Sequence, residues 1–408
     1  MTKLQKRIIT SVAAGAILLN SLTGLAFAGT TIQISGNGSF SENEAEVTSK
    51  TTTTVVQSNN ADVNNNVDAN ASTGGNDAND NTGGDVAVKT GDAKTSVDVS
   101  TAVNANHADV DGCNCESDTD VLISGNGYKS ENEVELKTKN EVEVFQENNA
   151  RVRNDIDANS KTGYNDANRN TGGDVLIKTG NATTEVSVST KANANVAKVG
   201  SNGNGTDVDL RIVGNGSYSE NEIELDLSQF ILLAQENNAY IDNDVDANSK
   251  TGGNDANDNT GGDAVIKTGD AMTSVEVDNM VNFNAADVDC GCISDILAKI
   301  HGNGSDSENE IEAEIEKELA VFQENDSDLD NDVDADAKTG HNEAKRNTGD
   351  SGTDPEVETG DATSETDVEN SGNVNTFGSG VDLDLDGMDL DFDFHFDLSL
   401  LMDLLHMS

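Results

Sequence analysis

The sequence predicts an all-β fold, an elongated β-solenoid made of four repeats. The first observation is that the string GNGSFSEN, starting at Gly36, has relatives starting at Gly125, Gly214 and Gly302, with steps of 89, 89 and 88 residues. The second is that TGGNDANDNTGG, starting at Thr73, recurs with nearly the same step. The third is that apolar and polar residues alternate between Gly, Asn and Thr clusters, which is typical of strands joined by turns. Similarity at a fixed period indicates units that pack against their neighbours.

The first element is a predicted secretory leader. Lys3, Lys6 and Arg7 precede a mostly apolar stretch, residues 8–25, and Ala26–Ala28 fits the small-x-small rule for cleavage after Ala28. Nothing further along is apolar for long enough to span a bilayer. We therefore expect a chain that is secreted, extracellular or held at the cell surface, with no transmembrane segment after cleavage. A short membrane anchor is the alternative interpretation of the same stretch.

After this leader, residues 1–28, the repeats divide the chain into four units and a tail. The predicted limits are 29–120, 121–210, 211–298, 299–376 as an atypical capping repeat, and 377–408 as an acidic amphipathic tail. Terminal repeats of a solenoid are commonly atypical because they cap it. In the tail, Leu390, Phe392 and Phe394 alternate with aspartates, so one apolar strand face needs a surface to cover. It is expected to close the last coil or to add to the first coil of another molecule.

Within a repeat, period-two runs such as Val86–Val88 and Val97–Val99 predict strands. The settings NNA, NDA and GDA place Ala61, Ala78 and Ala93 at steps of 17 and 15 residues. This spacing suggests that a repeat of about 89 residues holds about five coils of roughly 16–20 residues each. About twenty coils would give a rod on the order of 95 Å long, with strands perpendicular to its axis. Some helix is expected only in residues 294–300 and 311–322.

The recurring Asn and Gly residues are interpreted as corners of the coils. Asn76, Asn79 and Asn81 return at the same offset in the second and third repeats. Asparagine tolerates the left-handed backbone of a tight turn, and its amide can hydrogen-bond to the coils above and below. Gly74 and Gly83–Gly84 supply positive φ where a Cβ would clash. The competing interpretation is that both residue types mark surface loops.

Part of each repeat resembles a known family. The pattern Gly-x-Asn-x-Ala-x-x-Asn of Gly252–Asn259, with QENNA at Gln146 and Gln235 and QENDS at Gln323, is similar to the strand–turn repeat of curlins. Curlins are secreted bacterial subunits that stack as a β-solenoid amyloid, so the resemblance implies a secreted, fibrous role. Curlin repeats are shorter, richer in Gln and less acidic, and they have no counterpart of the GNGS strings. No functional residue is therefore carried over from them.

Charge limits the classes of partner. The chain has a formal net charge of −52, and losing the leader removes three cations and no acids, which leaves −55. Phosphate binding needs clusters of Lys and Arg that the sequence lacks, so nucleic acid is excluded as a partner. Such a charge attracts divalent cations and keeps copies apart at low salt. High charge with modest hydrophobicity is also typical of disordered chains, but the regular apolar spacing favours a folded one.

Aspartates at alternate positions are the candidate cation site. The candidate Ca²⁺ ligands are Asp242, Asp244, Asp246, Asp330, Asp332 and Asp334. On a strand such residues share one face, and hard divalent cations relieve the repulsion between stacked carboxylates with their preference for oxygen ligands. A solvated acidic face is the alternative, and no other cofactor is expected.

Two Cys-x-Cys pairs follow the first and third repeats: Cys113 with Cys115, and Cys290 with Cys292. On the predicted rod the two pairs are too far apart to bridge each other, because a disulfide needs Cα atoms within about 7 Å. In an oxidising compartment each pair is expected to form a local bridge or to bond to another molecule. A zinc site would need four ligands and finds two.

No catalytic set stands out, since the five histidines are scattered and keep no place in the repeat. The sequence therefore predicts a non-enzymatic, exported structural protein. It would form an acidic rod or filament at the cell surface or in extracellular matrix and would associate with itself. The alternative is a secreted adhesin, or a carbohydrate- or cation-binding module, that contacts cell-surface or matrix polymers.

Overall fold

The computed structural model describes residues 20–22, 30–110, 118–200, 206–289, 293–349 and 355–378. Within these ranges the regular secondary structure consists of β-strands alone, and the strands form parallel sheets. The all-β prediction and the stacked, parallel architecture of a β-solenoid are confirmed. Residues 294–300 and 311–322, where some helix was expected, are strand instead, because they pair in register with the strands of the preceding repeat.

The strands fall into four parallel sheets. The first contains β2 (Thr30–Ser35), β6 (Thr119–Ser124), β10 (Thr206–Val213) and β14 (Ile293–His301). The second contains β3 (Glu42–Gly74), β7 (Glu131–Gly163), β11 (Glu220–Lys250) and β15 (Glu308–Lys338). The third contains β4 (Val86–Lys89), β8 (Val175–Lys178), β12 (Ala264–Lys267) and β16 (Glu356–Glu358). The fourth contains β1 (Asn20–Leu22), β5 (Ala93–Val110), β9 (Ala182–Gly200), β13 (Ala271–Asp289) and β17 (Ala362–Phe377).

Each strand of a repeat pairs with its equivalent one repeat further along the chain. Ala61 of β3 pairs with Ala150 of β7, which pairs with Ala239 of β11. The offset is 89 residues there and 88 residues between β11 and β15. One repeat therefore makes one layer of the stack, which we call a rung. Rung 1 comprises residues 30–110, rung 2 residues 118–200, rung 3 residues 206–289 and rung 4 the described residues of 293–378.

The prediction of about five coils in each repeat is wrong. The NNA setting of Ala61 lies inside β3, a strand of 33 residues that passes straight through it because Val63 and Val67 continue the alternation. The four rungs, about 4.8 Å apart, span only about 14 Å between their outer backbones, whereas β3 at about 3.3 Å per residue is about 110 Å long. The long dimension of one molecule thus runs along its strands, and the rod with strands across its long axis is also wrong for a single copy.

Each rung folds back on itself, so that β3 lies in one layer and β2 and β5 lie in the other. Ile34 of β2 packs with the cluster that includes Val47 near the start of β3. Further along β3, Val63 packs with Val103 of β5. The alternating apolar residues meet between the two layers, and the resulting narrow core continues from rung to rung.

Of the predicted leader and the tail from residue 379, only a short segment of the leader is described, and it contacts rung 1. β1, which is the described part of the predicted leader, pairs with Ala108–Val110 on the outer edge of rung 1. The remainder of the leader and the tail from residue 379 lie outside the described residues, so the predictions made for them stay predictions. The strands β6, β10 and β14 begin shortly before the predicted limits at 121, 211 and 299.

Candidate functional site

Columns of asparagine run through the stack. In the column of Asn59, each Nδ2 donates to the Oδ1 of the next rung, at 3.1 Å to Asn148, 3.0 Å from there to Asn237 and 2.9 Å to Asn325. The columns that run in this way at all three interfaces start at Asn37, Asn43, Asn59, Asn65, Asn76, Asn104 and Asn106. The prediction that the corner amide of Asn76 bonds to a neighbouring coil is confirmed, because its Nδ2 lies 2.9 Å from the Oδ1 of Asn165.

Two of these columns also bond to each other across the core. Asn59 Nδ2 lies 2.9 Å from Asn106 Oδ1, and Asn106 Nδ2 lies 3.0 Å from the Oδ1 of Asn148 in the next rung. Asn148 is completely buried. Burying an amide is unfavourable unless it is hydrogen-bonded, so this network holds the two layers and the successive rungs in one register.

Glycine occupies the turn positions where successive rungs come closest. Gly74 has φ of 114°, and a Cβ there would lie 2.0 Å from the carbonyl oxygen of Gly163. Gly83 and Gly84 also have positive φ, 79° and 98°, as predicted. The left-handed non-glycine residue between Gly74 and Gly83 is Asp80, not an asparagine. Its carboxylate accepts a hydrogen bond of 2.7 Å from the Nε of Arg169 in the next rung.

The candidate Ca²⁺ ligands are brought together in register. The paired positions on β11 and β15 are Asp242 with Asp330, Asp244 with Asp332, and Asp246 with Asp334. All six side chains are at least partly exposed on the outer face of the second sheet. The Nε of Arg153 in rung 2 lies 3.6 Å from Asp242 Oδ2. In the described part of the chain no group of three or more His, Cys, Asp or Glu side chains forms a metal-ligand set.

The electrostatics of these columns are repulsive. Partial loss of hydration, and then the neighbouring carboxylates of Asp155 and Asp332, raise the pKa of Asp244. Burial and the carboxylates of Glu133 and Glu310 raise the pKa of Glu222 in the same way. A stacked column of carboxylates therefore disfavours full ionisation, and either a proton or a cation relieves it.

Two surface features were missed by reasoning from the sequence. An open depression of 290 Å³ lies against the second sheet, where the guanidinium of Arg151 sits 5.2 Å from the ring centre of Tyr240. At the GNG turns, Phe40, Tyr128 and Tyr218 form an exposed aromatic row with ring centres 5.6 and 5.7 Å apart, edge to face. An aromatic residue one or two positions after GNG in the first three repeats was the available signal. These residues are 88 and 90 residues apart, so the 89-residue register alone does not predict that their rings stack.

The cysteine pairs, Cys113 with Cys115 and Cys290 with Cys292, lie outside the described residues, and their pairing stays a prediction. No helix in the described ranges is long and apolar enough to cross a membrane. No family model matches the chain, and neither a curated protein nor a solved structure was found to match it.

Proposed function

We propose that the protein is an exported structural protein that forms an acidic rod or filament at the cell surface or in extracellular matrix. The observation that carries the proposal is the set of asparagine columns that continue from rung 1 to rung 4. Each rung presents nearly the same row of amide and apolar side chains to the next rung, as the subunits of a self-assembling filament do. The similarity of Gly252–Asn259 to curlin repeats supports the same role.

The acidic outer face fits such a role. Carboxylate columns on the second sheet project from the sides of the stack and repel other molecules that approach laterally. Repulsion of this kind limits the sideways clumping of sheet proteins while leaving the ends of the stack open. The side faces then remain in contact with solvent, and further copies add at the two ends of the stack.

Imaging of the producing cell tests the proposal. Antibodies against residues 29–408 should label fibres or a coat outside intact cells, and a strain that lacks the protein should lose them. The mature protein, purified and viewed by negative-stain electron microscopy, should form rods or filaments. Labelling confined to the cell interior, or compact single particles under every ionic condition, would contradict the proposed function.

A cation-binding wall is the second candidate function, and the in-register aspartates of β11 and β15 favour it. Ca²⁺ that binds only the folded chain raises its melting temperature by mass action. We expect a higher melting temperature in calcium than in chelator at matched ionic strength, and a smaller calcium effect in Asp244→Asn/Asp332→Asn. The control Glu276→Gln/Asp278→Asn removes two acids from the fourth sheet and should keep the calcium effect. Equal melting temperatures with and without calcium would mean that the aspartates form a solvated acidic face and bind no calcium.

A further inference from the structure

We propose that copies of this protein stack head to tail, with rung 4 of one copy paired in register with rung 1 of the next. The inference rests on the proposed structural function and names the contact that would build its filament. The partner is a second copy of this chain, and the surfaces are the two open faces of the stack. Three observations on those faces carry it.

The first observation is that core side chains are exposed on rung 4. Ile300 is 48% exposed, although Ile212, one rung above it in the same column, is fully buried. Leu319 is 49% exposed, although Ile231, its partner in rung 3, is buried. Val357 is 45% exposed, although its rung 3 partner Ile266 is buried. Rung 4 thus presents the continuation of the apolar core as an open surface, which is characteristic of an interaction site.

The second observation is that amide atoms at both faces are buried without a hydrogen-bond partner among the described residues. On rung 1 these atoms are the Oδ1 of Asn65 and the Oδ1 of Asn104. On rung 4 the atom is the Nδ2 of Asn342. One rung further in, Asn154 Oδ1 accepts from Asn65 at 2.7 Å and Asn193 Oδ1 accepts from Asn104 at 3.0 Å. Rung 1 therefore offers acceptors, and rung 4 offers a donor, in three columns whose interior bonds are complete. In the column of Asn81, by contrast, the Nδ2 atoms of Asn170 and Asn259 lack a partner among the described residues inside the stack as well.

The third observation is that the amide positions of the two faces coincide. If rung 4 pairs with rung 1 as the rungs within one copy pair, nine amides of rung 4 meet an amide of the same type on rung 1. The facing pairs would be Asn303 with Asn37, Asn309 with Asn43, Gln323 with Gln57, Asn325 with Asn59, Asn331 with Asn65, Asn342 with Asn76, Asn347 with Asn81, Asn373 with Asn104 and Asn375 with Asn106. In the glutamine column the Nε2 groups donate towards rung 1 instead of rung 4, and Gln323 would still face Gln57 across the contact between copies.

A second copy fits the open face of rung 4 better than the chain's own tail. Residues 379–408 contain neither Asn nor Gln, so they cannot continue an amide column. At the other face, β1 occupies the edge of rung 1 only at Ala108–Val110, and cleavage after Ala28 would remove it.

Charge sets the conditions for stacking. Glu308, Glu310 and Glu312 of rung 4 would meet Glu42, Glu44 and Glu46 of the next copy, and such contacts repel. Elsewhere the carboxylates of Asp330 and Asp332 would meet Asn64 and Asn66. Because Asn64 and Asn66 are uncharged, these two contacts add no further pair of like charges. Stacking should therefore be weak at low ionic strength and strong where salt shortens the range of repulsion.

Two glycines on rung 1 allow the face to be blocked without disturbing the fold. A Cβ on Gly38 or Gly91 would meet nothing within 4 Å, and neither residue has a left-handed φ. At Gly127 and Gly180, the same positions one rung further in, a Cβ would lie 2.5 Å from an atom of the rung above. A side chain on Gly38 or Gly91 thus points out of the open face and would collide with rung 4 of a docked copy.

The test compares residues 29–408 with the variant Gly38→Val/Gly91→Val and with Ser100→Val, which adds similar bulk to an outer side wall. At about 1 M salt, where the Debye length is about 3 Å, the parent and Ser100→Val should form stacks by sedimentation and electron microscopy. The glycine variant should stay monomeric at protein concentrations at least tenfold higher than those at which the parent assembles, and its melting temperature should be unchanged.

Chemical cross-linking reads out the register. Lys50 lies 3.2 Å from Glu141 in rung 2. Pairing of rung 4 with rung 1 in register would place Lys50 directly opposite Glu316 of the neighbouring copy. Within one copy Lys50 and Glu316 are three rungs apart, about 14 Å. A carbodiimide should therefore join Lys50 to Glu316 only in assembled samples, and Lys50 to Glu141 in all samples.

The outcomes separate this inference from the proposed function. Filaments that lack the Lys50–Glu316 link and tolerate the glycine variant would overturn head-to-tail stacking while leaving a structural role in place. A parent chain that stays monomeric at high salt overturns both. Assembly that appears only after deletion of residues 379–408 would show that the tail covers rung 4, and would overturn stacking for the full chain.

Discussion

At the scale of single residues, buried asparagine determines the register of the stack. Asn148 donates to Asn195 at 2.8 Å and to Asn237 at 3.0 Å, and its Oδ1 accepts from Asn59 and Asn106. A shift of one residue would replace these partners by residues of the opposite face and leave buried amides unpaired. Since an unpaired buried amide is costly, the network selects one alignment more sharply than aliphatic packing would.

Replacing Asn148 by alanine should therefore be strongly destabilising. The substitution leaves the Nδ2 groups of Asn59 and Asn106 short of an acceptor, and a buried polar group without its partner costs about 1–3 kcal/mol. We expect Asn148→Ala to lower the free energy of unfolding by about that amount in urea titrations. Asn60→Ala, an exposed asparagine on β3, is the control and should change it by less than about 0.5 kcal/mol. Equal effects of the two variants would mean that the network adds nothing to stability.

Two aspartates three residues apart should respond to pH in opposite ways. Burial and the carboxylate of Asp166 raise the pKa of Asp255, so its ionisation opposes folding, and this penalty disappears as the pH falls through the raised pKa towards the ordinary value. The hydrogen bond from Arg346 lowers the pKa of Asp258, so its contribution is present above the ordinary value and is lost as the pH falls through the lowered pKa. At pH 7, Asp255→Asn should raise the melting temperature, and Asp258→Asn should lower it slightly.

Melting curves between pH 7 and pH 3 check both signs. The parent chain should become more stable as the pH falls through the raised pKa values of Asp255 and Glu222 towards their ordinary values, because these carboxylates in repulsive columns take up protons first. Below about pH 4 the trend should reverse as paired acids are protonated; Lys139 and Lys50 hold the pKa of Glu141 at about 2. A steady loss of stability from pH 7 downwards would refute this account.

At the scale of elements, the strands could be predicted, but the path of the chain could not. Period two and the repeated strings were sufficient to predict parallel stacked strands. The strings NNA at Ala61 and NDA at Ala78 look alike, yet the first lies within β3 and the second lies in a turn. The alternation that continues at Val63 and Val67 keeps Ala61 inside β3. Asn106, 47 residues beyond Asn59, then provides a buried partner for Asn59 across the core. Local residue types do not indicate such a distant partner, so the coil length cannot be predicted from them.

The place of a residue within its column should control what its truncation costs. Ile212 and Ile300 occupy the same column of the first sheet, but Ile212 is fully buried in rung 3 and Ile300 is half exposed on rung 4. Ile212→Ala should destabilise the chain by about 2–5 kcal/mol, the usual cost of such a cavity. Ile300→Ala should cost less than half as much under conditions in which the protein is monomeric. Equal losses in urea unfolding at low salt would show that the two rungs are covered alike.

At the scale of the whole molecule, the rung is the unit that can be added or removed. Each rung contacts mainly the rungs above and below it, so stability should be close to a sum of neighbouring interfaces. Excising residues 118–206, one full step of 89 residues, would bring rung 3 against rung 1 with every column still in register. We expect that protein to remain folded and to melt cooperatively at a lower temperature.

A shorter excision is the matched control. Removing residues 150–166, one apparent sub-unit of 17 residues, would take out the last 14 of the 33 residues of β7 and misalign the chain that follows with both neighbouring rungs. That chain should lose strand content in the far-ultraviolet circular dichroism spectrum and become sensitive to protease. If the short excision were tolerated and the long one were not, the small sub-units would be the true coils.

The single direction of the asparagine columns gives the stack an electric dipole. Backbone amides of the turns point both ways, since Ala78 N donates to Asp166 O while Asp166 N donates to Asn76 O, so their contributions largely cancel. The side-chain amides of seven columns all point their N–H groups towards rung 4, so theirs add. Aligned amides favour negative charge at their positive end, as at the start of a helix. That end is the rung with the alternating aspartates of residues 326–336, so the acidity of the last repeat is matched to its position in the stack.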